Sequence, residues 1–251
     1  MNKLNENTAP KAPIAMLALA VALMTFLAAC SQTVESKSPI AQEMQSGNIP
    51  PAASQFFGSS AALLQPGKEG QAQMLYINPN ANWSSYTKIL LQPVQFWDTS
   101  DSGISDADEQ LLVTYFHNQL QQDLSKSFTL VSEPGPGVLV LYIALINATS
   151  ATPVLRSISV VVPQARLLNS VQSLATGSYA FVGSAEAEMK AVDGSTGEFL
   201  AGAIVQRSGG TSLSTAAQWQ WGDAENAMNF WSERITTRLL ELQGRAAPAA
   251  S

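Results

Sequence analysis

Glu186 and Glu188 stand two residues apart in a stretch that alternates in polarity. Two carboxylates on one strand face are an arrangement that general acid–base catalysis uses. Lys190 extends the same row, while Ala185, Ala187, Met189 and Ala191 hold the opposite one. This alternation predicts a half-buried strand with Glu186, Glu188 and Lys190 on its solvent face. The remaining candidates are isolated. His117 is the one histidine and sits in a helical pattern, where a structural or exposed role is expected. Ser85-Tyr86-Thr87-Lys88 matches S-x-x-K, but the S-D-N and K-T-G partners of that chemistry are missing, as is any G-x-S-x-G elbow. Gly135 and Gly137 lack the continuation of a phosphate-binding loop. Asp98, Asp101, Asp106 and Asp108 lack the spacing and closing Glu of a calcium loop. A protein without catalytic residues, bound metal or cofactor is expected.

The one cysteine carries a stronger signal. Lys3 and Lys11 precede an apolar run, Ile14 to Ala29, that contains no charge, Gly or Pro. The run is shorter than the ~20 residues that span a bilayer core, so it reads as a secretory leader rather than a membrane helix. Leu27-Ala28-Ala29-Cys30 closes it and resembles a bacterial lipobox, at which the cysteine is acylated and the preceding peptide removed. Residues 1–29 are therefore expected to be a lipoprotein signal peptide and Cys30 the lipidation site. Ser31 at the next position resembles lipoproteins exported to the outer membrane, which gives an expected location there, anchored by lipid on the periplasmic side.

These residues must be positioned by the rest of the chain. Residues 30–60 are rich in Ser, Gln, Ala and Pro without sustained apolar period, and are expected to be a flexible lipidated tether, with Phe56-Phe57 a small docking point at its end. Residues 61–243 are patterned as one domain, and 244–251 read as a disordered tail. Lys88 to Trp97 reads as a strand interrupted at Pro93. Ser105 and Asp108 form a capping box, and Leu112, Tyr115, Phe116, Leu120 and Leu124 recur at helical spacing behind it. Val138 to Ile146 is apolar on both faces, as a central strand is. Tyr179 to Val192 and Glu198 to Gln206 flank a Gly-containing turn as a hairpin. Asp223 to Gln243 carries a second apolar helical stripe and ends at Gly244. The expected class is α+β, a mixed or antiparallel sheet with two main helices packed on it.

Composition narrows the partners. The chain is 46% hydrophobic but only 13% charged, with a net charge of −6. Losing Lys3, Lys11 and Glu6 with the leader makes this −7. No basic footprint exists for nucleic acid, so none is expected as partner. The expected partners are the membrane, through the lipid, and an envelope protein or peptidoglycan. Exposed tryptophan favours interfaces, which singles out Trp97, Trp219 and Trp221. Within the 153–176 insertion, Leu167, Leu168 and Val171 lie on one side of an amphipathic helical pattern that covers the sheet or docks a partner.

Several blocks then occur together and in order. They are Tyr76-Ile77-Asn78-Pro79 with Trp83 and Tyr86, Lys88 to Val94 ending in Trp97, Glu133-Pro134-Gly135-Pro136-Gly137, Gly197-Glu198-Phe199-Leu200-Ala201, and Trp219 to Trp231. Over about residues 61–243 this resembles the bacterial lipoprotein family catalogued as domain of unknown function 3313. The resemblance implies a cell-envelope lipoprotein and supplies neither a catalytic residue nor a ligand. The expected function is thus a non-enzymatic, lipid-anchored envelope protein that binds a protein or cell-wall partner. A periplasmic carrier of a small ligand or lipid, and a cryptic hydrolase, are the alternatives.

Overall fold

The computed structural model describes residues 33–97, 104–149, 183–209 and 221–246. All fall in one folding unit, residues 32–251. The leader, Cys30, Leu167, Leu168, Val171, Trp219, the 153–176 insertion and residues 247–251 lie outside the described residues.

A hairpin of two long strands forms the centre. β8 (Ser184–Asp193) and β9 (Phe199–Gly209) pair antiparallel around the expected turn. Asp193 fastens that turn by accepting backbone N–H bonds from Ser195 at 2.8 Å and Thr196 at 2.7 Å. Gly197 adopts φ +72°, a left-handed conformation that glycine takes without a steric cost. β7 (Val138–Thr149) lies antiparallel against β8. β4 (Lys88–Leu91) and β5 (Gln95–Phe96) run parallel to β7 along its other edge, divided around Pro93 as the sequence anticipates. β6 (Thr129–Leu130) is parallel to β4. On the far side, β1 (Thr33–Glu35) and β3 (Met74–Ile77) share the free edge of β9, and β2 (Gln65–Pro66) pairs with β3. The result is a mixed sheet of nine strands among the described residues, in the α+β class expected.

The two expected long helices pack on one face. α3 (Asp106–Ser125) starts at Ser105, whose Oγ accepts the Asp108 backbone N–H at 3.2 Å and donates to the Asp108 carboxylate at 2.9 Å. Leu112, Phe116, Leu120 and Leu124 are all fully buried. α4 (Gly222–Leu242) ends before Gly244, which takes φ +68°, and the Arg245 N–H closes the end on Leu240 O at 2.8 Å. The helices are tied by polar contacts within an apolar seam. Ser232 Oγ donates to Asp123 at 2.6 Å, and Tyr115 OH donates to Asn229 at 2.9 Å. Burial alone would raise the Asp123 pKa. Hydrogen bonds from Lys126, Ser232 and Gln119 outweigh it and hold the carboxylate ionised, below its usual range.

The other face departs from expectation. Residues 35–60, expected within the tether, are folded. α1 (Pro39–Gln45) is capped by Ser38, which accepts the Ala41 N–H at 2.9 Å, and α2 (Pro51–Phe57) starts on its own proline. A short 3₁₀ helix, Gly58–Leu63, follows. Ile40, Ala41, Met44, Ala53, Phe56 and Phe57 are buried against Met74, Ala144, Ile146 and Ile204 of the sheet. The segment has too few apolar residues for a period to be visible, yet two N-terminal prolines and one serine cap suffice for two single-sided helices on an existing surface. The domain accordingly begins ahead of residue 61, and the sheet is covered on both faces.

Asp223, at the first turn of α4, joins the helix to the hairpin end by accepting the Gly183 N–H at 2.8 Å. Its carboxylate occupies the space a side chain at position 209 would need, since a Cβ there would fall 2.0 Å from Asp223 Oδ1. Gly209→Ala is expected to destabilise the domain by about 1–3 kcal/mol in urea denaturation, through forced displacement of α4. An unchanged midpoint would show that this contact does not fix the helix.

Candidate functional site

An apolar concavity lies between α4 and the sheet. The first half of α4 packs closely through Ala224, Ala227 and Met228, all fully buried. Further along, Trp231, Ile235 and Leu239 face strand positions occupied by Ala191, Ala201 and Ala203. Three methyl side chains cannot fill the gap beneath a helix bearing such residues, and a cavity of about 250 Å³ remains. Leu75 and Ile77 of β3 and Met189 and Val205 of the hairpin complete an apolar lining.

The rim differs in character. Arg207, Arg234 and Arg238, three of the chain's six arginines, line the cavity, with Glu35 the one acid. Arg207 projects from β9 beneath Phe230, its guanidinium carbon 3.7 Å from the ring centroid. Burial pulls its pKa down and Glu35, its cross-strand partner, opposes this. Arg234 donates to Gly70 O at a long 3.4 Å, and Arg238 meets Glu241 at 2.5 Å on the surface. Phe230, Arg234 and Arg238 recur every four residues, which stacks them along one edge of α4. An apolar chamber with a cationic rim can enclose an uncharged body and hold an acidic end.

A second cluster lies on the opposite face. Glu186 and Glu188, expected on a solvent face, are 2% and 0% exposed beneath α1 and α2. The alternation was read correctly, but the outward face is the one that the N-terminal segment covers. Ser38 Oγ, already the cap of α1, donates to Glu186. Both Glu188 oxygens lack a hydrogen-bond partner. Lys190, next in the row, turns away to donate to Phe56 O and sits 4.8 Å above the Phe56 ring and 5.1 Å from that of Tyr142. Burial pushes Glu186 up to about 7. Burial, and then the Glu186 charge, pushes Glu188 up to about 8. Among the described residues, α1 and α2 cover this pair.

The other sequence candidates disperse. Trp221 is buried at the start of α4 and packs in the core shared by the two long helices, which corrects its assignment to an exposed interface. The residue immediately precedes the helix and is drawn in with its first turn. Trp97 is half-buried, its ring 5.5 Å from that of Phe56 in an edge-on contact. His117 stands on α3, with its pKa lowered by burial and its Nδ1 without a hydrogen-bond partner among the described residues. The arginine rim and the cavity were missed from the sequence. The four-residue spacing of Phe230, Arg234 and Arg238 was its one visible signal.

The fold and the cavity define a mixed-sheet α+β domain with helices on both faces and an apolar chamber under the last one. The chain belongs to the family described as protein of unknown function, DUF3313, which it matches over residues 52–235. No curated protein matches the sequence. Among solved structures, a PelC dodecamer from Paraburkholderia phytofirmans shows 9% identity and a TM-score of 0.34, with 68% of this chain and 95% of that one covered. The hypothetical protein CT253 from Chlamydia trachomatis shows 10% identity and a TM-score of 0.31, covering 62% of this chain and 96% of that one.

The acid pair has a consequence for stability. Between the ordinary carboxyl value of 4.5 and about 8, the folded chain binds more protons at Glu188 than the unfolded chain does. Stability therefore falls as pH rises through that window and levels off above it. Glu188→Gln keeps the neutral shape and is expected to flatten the decline. Thermal melting should then show a gain on the order of a few kcal/mol at about pH 8 and almost none at about pH 5. An unaltered pH profile would contradict burial of an unpaired carboxyl at this position.

Proposed function

We propose that this chain is a non-enzymatic cell-envelope lipoprotein, held by acylated Cys30 at the periplasmic side of the outer membrane, that binds a small apolar ligand beneath α4. The observation that carries the binding role is the 250 Å³ apolar cavity, left open because Ala191, Ala201 and Ala203 face the larger side chains of the helix. Pockets with apolar walls and a few convergent polar groups are where proteins hold small ligands. The anchor is supported by Leu27-Ala28-Ala29-Cys30 behind its apolar run, and the outer-membrane location by Ser31. Two or more acyl chains hold a protein at a membrane firmly, where one does so only weakly.

This reading takes the carrier alternative ahead of a tryptophan-centred docking surface for a protein or peptidoglycan. Trp221 is buried, and Trp97 is occupied by Phe56. In sequence, only Ser31 and Gln32 separate Cys30 from the first strand at Thr33.

Two measurements test the proposal. Ala203 lines the cavity between Leu75 and Met189, so Ala203→Phe fills it. A fluorescent apolar probe is expected to bind the soluble Cys30→Ala protein and to lose about tenfold or more in affinity on adding Ala203→Phe. Equal binding by both would exclude the cavity. In cells, Cys30→Ala is expected to move the protein from the membrane fraction to the soluble periplasm or to stall its processing. A processed variant that still fractionates with the outer membrane would exclude the anchor.

A further inference from the structure

We infer that the ligand of the α4 cavity is a single-chain amphiphile with one anionic head group, a carboxylate or a phosphate. This rests on the ligand-binding reading above and assigns the chemistry of the ligand. The apolar chain lies between α4 and the alanines of the hairpin, and the head group sits at the rim among Arg207, Arg234 and Arg238.

Three observations lead to this assignment. The first is the charge distribution. A chain of net charge −6 gathers three arginines at one cavity and offsets them there with Glu35 alone. An arginine stays charged at any pH the fold survives and presents five N–H donors in a planar fork that fits two oxygens of a carboxylate or phosphate. The second is what those donors do without a ligand. Arg234 reaches one carbonyl at 3.4 Å, and Arg238 meets Glu241 in an exposed ion pair. Exposed pairs of this kind contribute little and exchange readily for a better acceptor. The third is the mixed character of the lining. Arg207, Arg234 and Arg238, with Lys190 of β8, are its cations against the one acid Glu35, while Leu75, Ile77, Met189 and Val205 add apolar surface beside them. A wholly polar ligand would leave the apolar side chains unmatched, and a wholly apolar one would offer the arginines no acceptor of its own.

The size is consistent with one chain. A volume of about 250 Å³ lies just below the roughly 300–1,000 Å³ usual for small-molecule sites, which leaves room for one chain rather than two. Phe230 remains partly exposed over Arg207 at the mouth, where its ring covers the junction between chain and head group.

The test uses the soluble Cys30→Ala protein and ligands with the same saturated chain and different heads: dodecanoate, dodecyl phosphate, dodecanol and dodecyltrimethylammonium. Binding is measured by calorimetry below the micelle concentration of each. Either anion is expected to bind about tenfold or more tightly than dodecanol, with the cationic surfactant weakest. The tighter of the two anions identifies the head group. Arg234→Gln with Arg238→Gln is expected to bring the anions to within about twofold of dodecanol while leaving dodecanol unaltered. Melting curves of the double variant check that the fold is retained. Dodecanol binding as tightly as both anions would overturn the anionic assignment and leave the cavity reading in place. Absence of binding by every chain would overturn both. Preference for an anion that survives both substitutions would overturn the assignment of the head group to this rim.

Discussion

β8 presents two unlike faces, and the fold depends on covering both. One face offers alanines and a methionine to the long helices. The other offers Glu186, Glu188 and Lys190 to α1 and α2. Because side chains alternate with a period of two, any one-residue slip of β8 between β7 and β9 would drive three ionisable groups under α3 and α4 and turn four small apolar ones the other way. Register is thereby fixed by what each layer can tolerate. The N-terminal layer tolerates acids because Ser38 donates to Glu186 and because burial raises both carboxyls toward their neutral form.

The same small residues explain the cavity. Alanine on β8 and β9 lets α4 approach closely at its N-terminal half, where Asp223 fastens it to the hairpin end. Beyond that point the helix carries Trp231, Ile235 and Leu239 over strands that still offer methyl groups. Close packing is the norm in protein interiors, and here the methyl groups fall short of it. Arginine at the edge then follows from position. Arg234 and Arg238 share the cavity with Leu75 and Ile77 of β3, and long side chains such as theirs can cover apolar surface with their stems while the heads reach solvent.

Much of the architecture was legible in the amino-acid order. Ser105 with Asp108 marked the start of α3, Pro93 marked the break between β4 and β5, and Gly244 marked the end of α4. These are local signals with local causes, a cap, a missing N–H and a positive φ. The folded N-terminal segment gave no comparable signal. Its helices are seven residues each, too short to show an amphipathic period, and they gain their stability from the sheet they cover. The site was similarly hidden. Trp221 looked exposed because its neighbours in sequence are small and polar, while its burial is set by the helix that begins directly after it.

The sequence by itself determined the alternation on β8, the two long helices with their caps, the hairpin turn and the α+β class, because each follows from spacing within a few residues. Only the tertiary structure decided which face of the alternation was buried, and against what. Glu186 and Glu188 are polar in any reading of the chain. Whether they meet water or the underside of α1 depends on residues about 150 positions away in sequence, as the contact from Ser38 to Glu186 shows. The cavity and its arginine rim belong to the same category. Arg207 lies on a strand and Arg234 and Arg238 on a helix, and only packing across the sheet brings them to one edge.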